Sequence, residues 1–129
     1  MTVPQLDEVL QTPGLHLELL GGSVGTRPAS CVFLAEDLLE LQECPAGAIV
    51  VLSRQTNGAV DSYRFDVALR LAATRGAVAL VLADPAAPHP ISTSVATAQR
   101  FGLAILRNAE PNNVAGLVCA LDIALRGSA

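Results

Sequence analysis

Residues 48–83 read AIVVLSRQTNGAVDSYRFDVALRLAATRGAVALVLA, and this stretch decides the fold. Ala48 to Leu52 contains no polar side chain, and neither does Ala77 to Ala83. Apolar runs that short are strands covered on both faces, unlike the alternating strands of an open antiparallel sheet. Between them Tyr63 to Arg75 has helical spacing, with Phe65, Leu69 and Ala72 on one stripe and Val67 and Leu71 beside it. Gly76 is the expected stop, because only glycine enters the left-handed region without cost. Strand, helix, strand in this order predicts a right-handed crossover between parallel neighbours.

The pattern continues toward the C-terminus. Asp84 to Ser94, DPAAPHPISTS, reads as a long loop, Val95 to Phe101 as a helix stopped by Gly102, and Leu103 to Leu106 as a short buried strand. Asn112 or Asn113 caps a final helix that runs to Arg126, with Gly127 just beyond. Toward the N-terminus, Ser30 to Ala35 reads as a strand, and the acidic segment Glu36 to Glu43 as a short helix closed by Cys44-Pro45. Thr2 is the expected cap of a first helix, with Pro4 in its first turn and Val3, Leu6, Val9 and Leu10 on one face. Thr12-Pro13-Gly14 stops it. Leu15, Leu17 and Leu19 alternate with His16, Glu18 and Leu20 as a half-buried strand, which Gly21, Gly22 and Gly25 end in a turn. These N-terminal strands either extend the sheet or form an antiparallel edge. The expectation is one α/β domain over residues 1–129: a mainly parallel sheet with flanking helices, completed or edged by the N-terminal helix and strands.

Composition narrows the function classes. Hydrophobic residues make up 51% of the chain, charged residues 16% and aromatics 3%, so a packed core of Ala, Val, Leu and Ile is expected and disorder is excluded. No apolar run reaches the roughly 18 residues of a membrane helix. The net charge of −4 argues against direct contact with a nucleic-acid backbone, since the arginines are scattered and not massed. Cys31, Cys44 and Cys119 are widely spaced without a CxxC pair, which fits reduced thiols and a cytoplasmic location. His16 and His89 lie at no metal spacing, so neither a metal nor a cofactor is expected.

Catalytic signatures are sparse. No phosphate-cradling glycine loop follows a predicted strand, and no GxSxG elbow presents a serine, although Ser53, Asp84 and His89 lie on loops. Glu36, Asp37 and Glu40 read as a solvated acidic face. Geometry offers more. If strands 48–52 and 77–83 are parallel neighbours, loops 53–62 and 84–94 leave the same carboxyl edge, where open α/β sheets place ligands. Ser53, Arg54, Thr56, Asn57, Asp84, His89, Ser92 and Thr93 then ring a small cleft as candidate ligand residues, facing helix N-termini that favour an anionic or carbonyl-rich ligand. In the final helix Val114, Val118, Leu121 and Leu125 are spaced 4, 3 and 4, which suits either a core stripe or a dimer seam. Cys119 and Ile123 fall on its opposite face, a candidate second surface.

Thr2-Val3, Leu6, Leu10, Pro13-Gly14-Leu15, Leu17, Leu19-Leu20 and Gly21-Gly22, followed by Gly25 and Arg27, resemble the N-terminal domain of purine-catabolism regulator (PucR-like) transcription factors. The similarity runs on through Val32, Glu36-Asp37, Gly47, Phe65, Ala68-Leu69, Gly76, Ala79-Leu80, Pro90-Ile91, Ala98 and Gly102-Leu103 to the last helix. It is a pattern of apolar residues and glycines. The chain departs from it where Cys31-Val32-Phe33 replaces a tryptophan-containing strand and where Gly47–Arg54 lacks the family's acidic residue and threonines. The resemblance implies the α/β module also found at the front of Mur ligases and HPr kinases. It further implies a non-enzymatic sensory role that binds a small-molecule effector or mediates a protein–protein contact, and a helix-turn-helix elsewhere in the bacterial regulator; a homodimer is expected from the seam of the final helix. Arg27, at the family's arginine position, joins the candidate ligand residues. Two other readings stay open: a small α/β enzyme or substrate-recognition domain acting at loops 53–62 and 84–94, and a structural dimerisation domain.

Overall fold

The computed structural model describes residues 3–110 and 113–126. Thr2, Asn112 and Gly127, read from the sequence as helix-end residues, lie outside them. The strands are Leu17–Gly22 (β1), Cys31–Ala35 (β2), Ala48–Leu52 (β3), Ala79–Leu82 (β4) and Ala104–Asn108 (β5). The helices are Leu6–Leu10 (α1), Asn57–Val60 (α2), Tyr63–Arg75 (α3), Ser92–Phe101 (α4) and Val114–Arg126 (α5), with 3-10 turns at Leu38–Glu43 and Arg54–Thr56. One sheet results, in the order β1-β5-β4-β3-β2. Strands β2 to β5 run parallel, and β1 pairs antiparallel with β5. The fold is therefore α/β with a mostly parallel sheet, and the N-terminal strand forms an antiparallel edge.

Alternation along the central strands builds two cores. Val50, Leu52, Leu80, Leu82 and Ile105 face Phe65, Leu69, Ala72 and Ala98 of α3 and α4. Ile49, Val51, Ala79, Val81, Ala104 and Leu106 face Leu6, Val9, Leu117 and Leu121 of α1 and α5. Each fully buried Leu or Ile contributes about 1.5–3 kcal/mol. Coverage on both faces is thus the reason AIVVL and ALVL carry no polar residue. The connections from β3 through α3 to β4 and through α4 to β5 step in one direction and keep both helices on one face. Helix α5 crosses to the other face, where α1 also packs.

Local chemistry sets the helix ends. Ser62 Oγ accepts a hydrogen bond from Arg64 N–H at the start of α3, and Gly76, at φ +92°, closes it with its N–H on Ala72 and Ala73 carbonyls. Asn113 is the cap of α5: its Oδ1 accepts from Gly116 N–H at 2.7 Å.

Several sequence boundaries are corrected. The N-terminal strand runs from Leu17 to Gly22, not Leu15 to Leu20, and Leu20 is the residue buried in it while Leu19 is 50% exposed. The cause is a register shift between Leu19 and Gly21 that reverses the expected facing. Gly21 and Gly22 are ladder residues paired with Ile105 and Ala104, not a terminating turn. Gly22 is needed there, at φ +73°, because a Cβ would fall 1.8 Å from the Leu103 carbonyl oxygen. The polar stretch 53–62 is not a loop but a 3-10 turn followed by α2, and α4 starts at Ser92. The acidic segment is a 3-10 helix starting at Leu38, and the last strand runs from Ala104 to Asn108.

Candidate functional site

The carboxyl edge of the sheet gathers most of the predicted cleft residues, and there Thr56, Asn57, Asp84 and His89 bond to backbone or to each other. Ser53 ends β3 with its N–H on the Ala35 carbonyl at 3.0 Å. Its own carbonyl accepts from Thr56 N–H at 3.0 Å and from Thr56 Oγ1 at 2.7 Å. That pair winds Arg54–Thr56 into a turn; Ser53 and Thr56 are both buried, and among the described residues Ser53 Oγ finds no hydrogen-bond partner. Asn57 Nδ2 donates to Asp84 Oδ2 at 2.9 Å, and Asp84 Oδ1 accepts from Ala86 N–H at 3.0 Å. This ties the start of α2 to the segment after β4.

A crevice would be expected between β4 and β5, whose following helices lie on opposite faces. It is filled. Asn108, buried at the end of β5, donates from Nδ2 to the Ala83 carbonyl at 3.2 Å and to the Glu110 carbonyl at 2.9 Å. Arg107 reaches from β5 to the Ala87 carbonyl at 2.8 Å and pairs with Glu18 of β1 at 2.8 Å. His89 lies with Nδ1 3.0 Å from the Pro90 carbonyl oxygen. Arg54, Ser92 and Thr93 remain on the surface, where Thr93 offers its carbonyl to Thr97 Oγ1. Arg27 is not part of the ring. Its Nη1 donates to the Gly102 carbonyl at 3.2 Å, just before β5, which puts it at the opposite, amino edge.

The open cavity lies elsewhere, between the 3-10 helix Leu38–Glu43 and the start of α3. It is a groove of about 660 Å³. Asp37 positions one wall, its Oδ1 accepting from Leu39 N–H at 2.9 Å to cap the 3-10 helix. Tyr63, Val67 and Leu71 of α3 form the other, at a spacing of four residues that aligns them along the helix. Leu39 is 69% exposed, Tyr63 71% and Val67 56%, so the groove collects a set of large apolar side chains that the two cores leave uncovered. Glu36, Gln55 and Arg64 stand among them with no side-chain partner among the described residues, and Thr56 is the one predicted ligand residue on its wall.

Sequence reasoning missed this site. It set Val67 and Leu71 beside the core stripe, and it took Glu36 and Asp37 for a solvated face. The spacing Tyr63–Val67–Leu71, off the stripe Phe65–Leu69–Ala72, was the usable signal.

The seam of α5 turns inward. Leu121 is fully buried, and Val114, Val118 and Leu125 pack partly buried against the same core, so the stripe covers the chain's own sheet. Leu121 is thereby removed as a dimer contact. Ile123, 63% exposed, borders a smaller hollow of about 270 Å³ with Pro4, Val9 and Pro13.

Elsewhere, Asp66 on α3 accepts from Thr97 Oγ1 of α4 and pairs with Arg70 at 3.0 Å. The Thr97 hydroxyl, with Arg70 adding to it, holds the Asp66 carboxyl below its ordinary range. Burial, reinforced by nearby Cys31, pushes the Cys44 thiol up. Among the described residues no group of three or more His, Cys, Asp or Glu could hold a metal ion, and no helix is long and apolar enough to cross a membrane.

No family model matches the chain, and no curated protein matches it. Among solved structures it is similar to the CBS and DRTGG domains of the regulatory region of Clostridium perfringens pyrophosphatase, in complex with the activator diadenosine tetraphosphate. The TM-score is 0.57 at 15% sequence identity, over 95% of this chain and 48% of that one. The chain thus spans about half the length of that structure. Likeness at this identity is one of fold: the α/β architecture occurs there within a regulatory region.

Proposed function

We propose that the chain is the sensory domain of a PucR-like transcriptional regulator, reading a small-molecule effector in the groove between the 3-10 helix Leu38–Glu43 and α3. The observation that carries this reading is the groove itself, with Leu39, Tyr63 and Val67 exposed on it. Large apolar side chains gathered around a concavity with a few polar groups are the usual lining of a ligand site. The pyrophosphatase regulatory region, which shares the fold and binds a nucleotide activator, supports a regulatory role. Effector occupancy would draw the 3-10 helix and α3 together and so change the surface offered to the rest of the regulator.

The test is a thermal-shift screen of purine-pathway intermediates and other small metabolites. At least one compound should raise the melting temperature, and Val67→Ser with Tyr63→Ala should remove the rise. A rise that survives both substitutions would contradict the groove. The homodimer belongs to the same proposal, now through the outer side of α5. Light scattering should give a mass near twice 13.3 kDa, lowered by Ile123→Glu. A monomer at high micromolar concentration would end that part.

A further inference from the structure

We propose that the groove selects an amphipathic organic cation, a molecule with an apolar body and one ammonium or similar head. This rests on reading the groove as the effector site and adds the class of effector. The body is specified by exposed Leu39 and Val67 and half-buried Leu71, whose remaining apolar surface would be covered by an alkyl or aryl segment. A volume of about 660 Å³ suits a molecule of that kind.

The head is specified by charge. Glu36 and Asp37 both line the groove, against one cation, Arg64. Among the described residues the Glu36 carboxylate has no ion pair or hydrogen bond, and Asp37 uses Oδ1 for the Leu39 N–H. A carboxylate with an unused oxygen beside an apolar wall attracts a cation more strongly than it would in open water. Tyr63 adds a ring whose π face attracts the same charge, and it is the aromatic residue on this wall. An anionic ligand would instead meet both carboxylates where the apolar wall screens them poorly. A neutral one would gain the wall and forgo the charges.

Three probes with one body separate these terms: phenylbutylamine, phenylbutanol and phenylbutanoate, titrated by calorimetry into the full chain at neutral pH and low salt. The amine should bind about tenfold more tightly than the alcohol, and the acid more weakly than either. Glu36→Gln and Tyr63→Leu should each weaken the amine about three- to tenfold and leave the alcohol unchanged. Arg64→Gln should tighten the amine. Circular dichroism should show the fold intact in each, since these side chains are exposed. Equal binding of the three probes, or a preference for the acid, with Val67→Ser weakening all of them, overturns the cation and leaves the groove standing. Binding of every probe unaffected by Val67→Ser, or no binding of any probe, overturns both.

Discussion

The two ends of the carboxyl edge differ in how their side chains are used. Around β4 and β5 the edge is polar and closed: Asn57 bonds Asp84, Asn108 bonds Ala83 and Glu110, and Arg107 bonds Ala87 and Glu18. Beside β2 and β3 it is apolar and open, with Leu39, Tyr63 and Val67 facing a groove. Buried main-chain groups at strand ends must be paired, and neighbouring polar side chains are the groups at hand to pair them. Polar residues after a strand therefore mark closure as often as function. Large apolar residues left uncovered have no such structural use, and they point to something that covers them.

Breaking the closed end should have the largest effect on stability. Asn108→Ala removes the bonds to Ala83 and Glu110 from a buried position and should cost about 2–3 kcal/mol in urea unfolding. A loss under roughly 0.5 kcal/mol would show the crevice to be closed by other means. Next comes Asp66, the polar tie between α3 and α4. Its carboxyl is held low, so its contribution is complete above the unfolded aspartate value of about 3.9 and is lost as pH falls through the lower folded value. Asp66→Asn should cost about 1–2 kcal/mol at pH 7, and its difference from wild type should shrink as pH drops below about 4. Asn57→Ala, at a partly exposed bond, should cost about 1 kcal/mol.

The open end should behave in the opposite sense. Val67→Ser should change stability by no more than roughly 0.5 kcal/mol while it removes any effector response. The smallest effect is a matter of rate. Cys119 is exposed, Cys31 is half-buried and Cys44 is buried with its thiol pushed up, so alkylation followed by mass spectrometry should modify them in that order.

This contrast also explains what could be read from the chain. Strands β3 and β4 were legible because double coverage strips them of polar residues, and α3 because the stripe Phe65–Leu69–Ala72 repeats at helical spacing and Gly76 ends it. The facing of β1 was not, since the shift at Gly21 depends on how closely Leu103 approaches Gly22. Residues 53–62 read as a loop by composition, yet hydrogen bonds from Thr56 to Ser53 wind up their first turn. The expected ring at residues 53–57 and 84–93 does lie at the carboxyl edge, but Thr56, Asn57 and Asp84 there bond to backbone and to each other. Sequence spacing aligns Tyr63, Val67 and Leu71 but does not reveal that the 3-10 helix stands off from them and leaves space.

We propose that ligand binds at the open end and not at the closed one, and amide chemical shifts in a two-dimensional NMR titration with small aromatic amine, alcohol and acid fragments distinguish the two. Shifts are expected to concentrate at Leu38, Leu39, Ala59, Tyr63 and Val67, with residues 84–91 and Asn108 unmoved. Shifts concentrated at Asp84, His89 and Asn108, with the α3 stripe silent, would contradict it.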